Sequence, residues 1–281
     1  MKIPLLVISL ALAMPALARD LTIFSREKLA AWCIVPFDAK KRGPVERAEM
    51  LNRLGITRLA YDWRNEHVPT FDAEVEAMEA HGIEIFAWWM ARGANEVNRK
   101  IFEVIERHGI HPQLWVLIDE PLKGSADQVA KIKAAAAEIR PLAEEAKRLD
   151  CKIGLYNHGG WFGEPANQIA VIKELNLPNV GIVYNFHHGH AHIEGFPALM
   201  AEMKPYLIAL NLNGMVKDGE STGRKILTIG EGDQEETMIA AVADSGWKGP
   251  VGILNHLPDK DAEIILKANR DGLGTLVGRL K

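Results

Sequence analysis

Histidines follow apolar runs at several places in the second half of the chain, where they could carry out acid–base chemistry. His158 comes directly after "KIGLYN", and His187 and His188 follow "VGIVYNF". Imidazole gains and loses a proton near neutral pH and also binds metal ions, so a histidine at a strand end is a candidate for either role. We predict that His158 and His188 are catalytic and that His187 and His256 contact the same ligand.

A carboxylate with similar potential lies at Glu120, directly after the apolar run Leu114–Ile118. Partial burial would raise the pKa of this carboxyl and suit it to proton transfer. We predict that either Glu120 or His158 is the base, with the other or His188 as the acid. A salt-bridged structural glutamate is the alternative at this position.

Amides recur at the same kind of place, and they donate and accept hydrogen bonds without charge, which suits a polyhydroxylated ligand. Asp62 and Arg64 lie two residues apart, so both can point to one face, either as a structural ion pair or as ligand-binding groups. Trp88 and Trp89 point to opposite faces, so one belongs to the core and the other could stack on a sugar ring. The predicted substrate-binding residues are Asp62, Arg64, Trp88, Asn157, Asn185, His187, Asn211, Asn213, Asn255 and His256.

The elements that must position these residues alternate between strand-like and helical patterns. An apolar run such as "IEIFAWWM" is followed by helical spacing such as "NEVNRKIFEVIERHG", and about eight such units follow one another. This alternation predicts a single-domain (β/α)8 TIM barrel over residues 19–281, with its active site at the C-terminal ends of the strands. A doubly wound open sheet is the alternative, but "FDAK" after the first strand is not a glycine-rich phosphate turn. We therefore expect no nucleotide cofactor.

Residues 1–18 have the pattern of a secretory signal peptide. Lys2 precedes the apolar run Ile3–Ala13, and Ala16-Leu17-Ala18 is a small-x-small cleavage site. We expect cleavage after Ala18 and export to a bacterial periplasm, with an uncleaved anchor as the alternative. Because no later apolar run approaches the length of a membrane span, we expect no membrane association after cleavage.

Charge and cysteine content narrow the class of protein further. The chain has 33 basic and 37 acidic residues, and this balance gives no reason to expect a nucleic-acid partner. Cys33 and Cys151 both lie in apolar contexts. In an oxidising compartment they could pair as a disulfide, and two buried free thiols are the other interpretation.

Three stretches together resemble the xylose isomerase-like TIM barrels, a family of sugar isomerases and epimerases, inositol-catabolism dehydratases and endonuclease IV. "LYNHGG" is similar to the end of the family's fifth strand, and "PNVGIVYNFHHGH" to the end of its sixth. "LNLNGMVKD" with "ILTIGEGDQEE" is similar to the segment that leads from its seventh strand into the next helix. The resemblance covers most of the chain after residue 18 and implies the same barrel.

The resemblance also raises the question of a metal, because family members commonly hold a divalent cation with carboxylates and a histidine. Carried over position by position, those ligands fall at Tyr156, Asn185, Asn211 and near Asn255. Neutral amides and a phenol are poor ligands for a divalent cation compared with carboxylates. A displaced Mn, Zn or Mg site built from Glu120 with His158, His187 or His188 stays open. His158 and His188 match positions that contact substrate in the family.

The resemblance implies a carbohydrate-active enzyme of the sugar isomerase or epimerase type, whose partner is a small-molecule sugar or keto-sugar, and the leader-like residues 1–18 imply that it is exported. Such reactions remove a proton next to a carbonyl and stabilise the resulting enediolate. Two alternatives stay open at this point. One is a lyase or hydrolase that acts on 3-keto-glycosides, and the other is a non-catalytic sugar-binding barrel.

Overall fold

The computed structural model describes residues 19–93 and 95–281, so the predicted signal peptide lies outside the described residues. Eight strands form one closed parallel barrel in chain order, with β1 next to β8, which confirms the predicted (β/α)8 fold. The strands are β1 Leu29–Trp32, β2 Arg58–Tyr61, β3 Glu84–Trp89, β4 Gln113–Val116, β5 Lys152–Tyr156, β6 Val180–Asn185, β7 Leu207–Leu212 and β8 Val251–Leu254.

Helices follow the strands and pack around the outside of the barrel. They are α1 Pro44–Leu54, α2 Phe71–Ala80, α3 Glu96–His108, α4 Gln128–Arg148, the short α5 Gly160–Gly163, α6 Pro165–Leu175, α7 Phe196–Met203, α8 Glu235–Asp244 and α9 Ala262–Arg279. In the described part of the chain, none of them combines the length and the apolar character needed to cross a membrane.

Local sequence signals set where these helices begin and end. Helix α1 starts with Pro44, whose missing N–H is not needed there, and ends at Gly55 in a left-handed conformation. Helix α3 starts after Asn95, whose side chain accepts a hydrogen bond from the Asn98 backbone. The connections from a helix to the next strand, such as residues 55–57 and 109–112, are short, whereas longer connections such as 33–43 and 213–234 follow the strands and surround their C-terminal ends.

Two apolar layers result, one between the barrel and the helices and one inside the barrel. The inner layer is built around Trp32 and Trp115, whose ring centroids lie 4.0 Å apart. Glycines make room for these indoles: a Cβ on Gly252 would lie 2.4 Å from Trp32, and one on Gly154 2.6 Å from Trp115. Aromatic side chains therefore fill the barrel interior and form a floor beneath its open end.

The two cysteines belong to different layers. Cys33 is buried in the inner layer and Cys151 in the outer one, and both thiols are free. Of the two interpretations that the sequence left open, the structure therefore has the buried free thiols.

Candidate active site at the barrel mouth

A cavity of about 550 Å³ opens at the C-terminal ends of the strands, where a barrel of this type places its active site. Residues from both halves of the barrel line it. Cys33, Phe37, Asp62 and Arg64 come from the first two units, and Trp89 and Arg92 come from the third. The fifth, sixth and eighth units contribute histidines.

Four of these lining residues are histidines that form one side of the cavity, here called the histidine wall: His158, His187, His188 and His256. His158 follows β5, His187 and His188 form a tight turn after β6, and His256 follows β8. Ring centroids lie 4.5 Å apart for His158 and His188, 3.7 Å for His187 and His188, and 5.1 Å for His187 and His256. The structure therefore brings together four predicted site residues as one continuous row of imidazoles.

Burial lowers the pKa of every imidazole in the histidine wall. For His188 the next cause is the neighbouring His158, and for His158 it is the guanidinium of Arg92. The pKa of His256 falls to about 4. Because a charged imidazole would be partly desolvated and would face like charges, the wall is neutral at pH 7.

Asp62 and Arg64, which follow β2, line the same cavity as the histidine wall. Burial raises the pKa of the Asp62 carboxyl to about 7, with Arg64 and the Val35 N–H as partial compensation. Arg64 does not bind that carboxylate: its Nη1 donates to the backbone carbonyls of Asp62 and Trp63, at 2.9 and 2.8 Å. The guanidinium lies over the ring of Phe37, 5.3 Å from its centroid. The direct ion pair between Asp62 and Arg64 is therefore not formed, and their role as ligand-binding groups stays a prediction.

The floor of the cavity is aromatic. Trp89 lies above the inner layer, with its ring centroid 4.5 Å from that of Trp115 and 5.7 Å from that of Trp32. Tyr156 lies beside them, and its hydroxyl accepts hydrogen bonds from Asn185 at 2.6 Å and from Trp32 at 3.4 Å. The floor presents ring faces and edges to a ligand, a surface that suits the C–H face of a sugar.

The predicted asparagines lie at the strand ends but do not line the cavity. Asn157 and Asn185 bond each other: the Asn157 Oδ1 accepts from the Asn185 N–H at 2.7 Å, and the Asn157 Nδ2 donates to the Asn185 carbonyl at 3.2 Å. Asn211 donates to the Asn185 Oδ1 at 2.9 Å, and the same oxygen accepts from the His187 N–H at 3.2 Å. These groups, with Tyr156, form a buried amide network that links β5, β6 and β7.

Asn213 and Asn255 also use their amides on the protein itself. Asn213 donates to the carbonyls of Gly214 and Lys225 and accepts from the Leu227 N–H, which fixes the loop after β7. Asn255 donates to the Phe37 carbonyl and ties the end of β8 to the segment after β1. Both side chains are buried, so these asparagines shape the mouth and do not line the cavity.

Glu120 lies in a smaller pocket of about 240 Å³ next to the main cavity. Its Oε1 accepts a hydrogen bond from the Lys131 ammonium at 2.5 Å, and a third of the Glu120 side chain is exposed. This ion pair is the alternative that the sequence left open at Glu120. The structure thus separates Glu120 from the histidine wall, although His158 lines both pockets.

Trp88 also lies away from the cavity. It is fully buried in the outer layer, with ring centroids 4.7 Å from Tyr61 and 5.0 Å from Phe71. Trp89 is the member of the pair that reaches the cavity. Arg92 also lines the cavity. It lies three residues beyond Trp89 in the loop after β3, so the strand-end pattern alone does not identify it.

The family follows from a sequence comparison. A model of the xylose isomerase-like TIM barrel family matches residues 46–268, most of the chain. The chain belongs to this family. The resemblance found in its sequence motifs is thereby confirmed. No curated protein sequence matches the chain.

Several solved structures are similar to most of the chain. The 3-keto-D-glucoside 4-epimerase of E. coli has a TM-score of 0.62 and 14% identity, covering 89% of this chain and 98% of its own. The IOLI protein with a bound zinc atom has a TM-score of 0.67 and 13% identity, covering 90% and 99%. A D-psicose 3-epimerase crystallised with D-fructose has a TM-score of 0.60 and 14% identity, covering 85% and 94%. At these identities the shared feature is the fold.

Some xylose isomerase-like barrels hold zinc or magnesium, so we tested whether the residues at this mouth fit a divalent cation. Within residues 19–93 and 95–281, His, Cys, Asp and Glu side chains form no group of three placed to hold one. Tyr156 and Asn185 use their polar atoms on each other, and Glu120 is bound to Lys131. This donor set does not fit a divalent cation, and no step proposed below uses one.

Proposed function

We propose that the protein is a carbohydrate-active enzyme that transfers a proton next to the carbonyl of a sugar, as sugar isomerases and epimerases do. The observation that carries the proposal is the pair of neutral imidazoles, His158 and His188, side by side at the cavity. Membership of a family that contains sugar isomerases and epimerases supports it, as do the printed activities of the two epimerases of the same fold.

His158 is the proposed base. It is the exposed member of the histidine wall, and it lies at the junction of the main cavity and the smaller pocket. A neutral imidazole with a lone pair facing the cavity can remove the proton next to a carbonyl. Because Arg92 and burial both lower the pKa of His158, the ring is unprotonated and ready to act at neutral pH.

His188 is the proposed hydrogen-bond donor to the developing enediolate oxygen. Its strongly lowered pKa keeps the ring neutral, so an N–H can donate to the oxygen without a resident positive charge. Arg92 and Arg64 supply positive charge at the rim of the cavity, where it stabilises an anionic intermediate. Asp62 and Arg64, which line the same cavity, hold the hydroxyls of the sugar.

Exchange of carbon-bound hydrogen tests this proposal directly. The protein is incubated in D2O with a panel of ketoses, aldoses and 3-keto-glucose, and deuterium incorporation next to the carbonyl is followed by NMR. Incorporation into at least one sugar is expected. If sugars bind but none of them incorporates deuterium, the non-catalytic sugar-binding barrel is the better description.

A lyase or hydrolase that acts on 3-keto-glycosides is the second candidate. The smaller pocket next to the main cavity favours it, because a glycoside has a second group that must be accommodated. Its first step would be the same proton removal next to the carbonyl. The glycosidic C–O bond would then break, and the group attached through that oxygen would leave as an alcohol after taking up a proton. Release of free sugar from a 3-keto-glycoside, measured by chromatography, distinguishes it from an epimerase that keeps the glycosidic bond.

We also propose that the protein is exported after cleavage behind Ala18. The support is the leader-like sequence of residues 1–18. Expression of the whole chain in a Gram-negative host followed by osmotic-shock fractionation tests this. A mature protein that begins at Arg19 in the periplasmic fraction is expected, whereas a full-length cytoplasmic product would overturn it.

A further inference from the structure

The smaller pocket continues the main cavity instead of forming a separate site. Arg92, Leu117 and His158 line both. The proposed base therefore lies at the boundary between the two spaces, with about 550 Å³ on one side and about 240 Å³ on the other. A ligand that extends past His158 would enter the smaller pocket.

The lining of the smaller pocket combines an indole with carboxylates. Trp161 supplies an aromatic surface, while Asp119 and Glu120 supply oxygens that accept hydrogen bonds. A pyranose ring has a C–H face that packs on an aromatic ring and hydroxyls at its edge that donate to carboxylates. Glu120 pairs with Lys131 through its Oε1, so its other carboxylate oxygen can accept a hydrogen bond from a ligand.

A closed set of hydrogen bonds fixes the orientation of Trp161. Its Nε1 donates to the Gln128 Oε1 at 2.8 Å, and the Gln128 Nε2 donates to the Asn167 Oδ1 at 2.6 Å. The Asn167 Nδ2 completes the cycle by donating to the Trp161 carbonyl at 2.7 Å. An indole held in this way at a partly exposed position loses little conformational freedom when a ligand packs on it.

Two glycines keep the entrance to the smaller pocket open. Gly159 and Gly160 have φ values of +79° and +62°, which disfavour other residues, and a Cβ at either position would meet nothing within 4 Å. The backbone after β5 therefore turns sharply beside His158 and leaves free space in front of Trp161.

We propose that the smaller pocket is a second sugar subsite, so that the substrate is a glycoside of at least two sugar units rather than a free monosaccharide. The ring that carries the carbonyl occupies the main cavity against the histidine wall, and the second ring packs on Trp161 with its hydroxyls toward Asp119 and Glu120. The glycosidic linkage lies at Arg92, Leu117 and His158. This proposal rests on the proposed function for the identity of the first ring.

Binding of glycosides that have no free carbonyl tests the subsite without any turnover. Methyl β-glucoside is compared with methyl β-cellobioside, and methyl α-glucoside with methyl α-maltoside, by titration calorimetry. At least one disaccharide glycoside is expected to bind about tenfold more tightly than its monosaccharide, and Trp161→Ala is expected to remove that gain. Monosaccharide affinity in Trp161→Ala stays within about twofold of wild type, since the main cavity is untouched.

Two further variants serve as controls. Trp161→Phe keeps an aromatic face but loses the bond to Gln128, so an intermediate gain of about threefold is expected. Ile264→Ala removes an exposed apolar side chain on α9 that lines neither pocket, and should leave every affinity unchanged. Thermal unfolding of each variant verifies that the barrel is intact.

The subsite is overturned if neither disaccharide glycoside binds more tightly than its monosaccharide, or if the gain persists in Trp161→Ala. The proposed function fails in a different way: the disaccharide gain is present and depends on Trp161, but the matching 3-keto-glycosides incorporate no deuterium. If none of the four glycosides binds, the subsite proposal is wrong. The proposed proton transfer is still tested in that case by deuterium exchange on free sugars.

Discussion

The amide network and the histidine wall lie a few residues apart in sequence, yet they have opposite relations to the cavity. Asn185 is fully buried and bonded on every side, whereas His188, three residues later, lines the open space. The difference lies in where β6 ends. Asn185 is the last residue of the strand, and its side chain caps the turn that contains the histidines. Amides at this mouth therefore hold the framework, and imidazoles face the cavity.

The largest expected effect comes from His158. Replacement by alanine removes the proposed base, so the rate of deuterium incorporation should fall at least about 100-fold. Because His158 is exposed, the free energy of unfolding should change by less than about 0.5 kcal/mol. NMR exchange rates and denaturant titrations measure the two quantities. If His158→Ala keeps most of its exchange activity, His158 is not the base. The contrast between a functional histidine wall and a structural amide network would then fail.

Asn185→Ala should show the reverse pattern. The change removes the hydrogen bonds that Asn185 makes to the Tyr156 hydroxyl, the Asn211 amide and the His187 N–H inside the buried network, and we expect a loss of about 3 kcal/mol in the free energy of unfolding. Sugar affinity of the folded protein at low temperature should change by less than about threefold. Equilibrium unfolding in urea and calorimetric titration give the two numbers. An unchanged stability with lost affinity would place Asn185 in the binding site instead.

The pH dependence of stability distinguishes the histidine wall from Asp62. The histidines have a lower pKa in the folded state than in the unfolded state, so below pH 6.5 the unfolded chain binds more protons. The free energy of unfolding therefore falls as the pH drops through this range, which for His256 extends from about 6.5 to about 4. Asp62, with a pKa raised to about 7, acts oppositely, because the folded state holds its proton more tightly over this range. Since four histidines oppose one carboxyl, the Tm should fall on acidification from pH 7 to 5.

Two variants dissect this trend. His256→Asn should make the fall in Tm between pH 7 and 5 smaller by about 2–4 °C, and Asp62→Asn should make it larger by a similar amount. Differential scanning fluorimetry across the pH range measures both. Equal slopes in wild type and both variants would mean that the neutral wall and the buried carboxyl do not differ in protonation on unfolding.

The smallest effect is expected at Glu120. Its carboxylate is paired with Lys131 outside the main cavity, so Glu120→Gln should reduce deuterium exchange on a free sugar by less than about fivefold. The same assay that tests His158 measures it, with Lys131→Met as the matched change on the other side of the ion pair. A loss of two orders of magnitude in Glu120→Gln alone would make Glu120 the base and reopen the choice between the two groups.

The architecture of the barrel was predictable because every unit carries both of its signals. Strand-like runs such as Lys152–Tyr156 alternate with helices that have their own start and stop residues, such as Pro44 and Gly55 in α1. The order of the strands followed from the alternation itself, since parallel neighbours need a helical crossover. About eight such units, with no change in composition to mark a domain boundary, then favoured a single closed barrel.

The site was predictable only to the level of strand ends. A β-bulge at Phe86, where β3 has one residue more than its partner β2, decides that Trp89 and not Trp88 faces the cavity, and strict alternation cannot show it. Asparagine at a strand end suits either a ligand or a turn cap, and sequence does not distinguish the two. The role of Glu120 depends on its ion pair with Lys131, which lies eleven residues away on the next helix. The sequence does not show that the Lys131 side chain points toward Glu120, because that direction is set by the packing of the helix on the barrel.

The aromatic floor gives the protein an optical reporter of its own. Trp89 borders the cavity, and its ring lies within van der Waals range of an indole pair that is completely shielded from water. Closely spaced indoles couple electronically, which produces strong near-ultraviolet circular dichroism and lets excitation energy pass from one ring to another. A sugar seated on Trp89 would alter the emission of the whole cluster, so ligand arrival can be followed by stopped-flow fluorescence without any label.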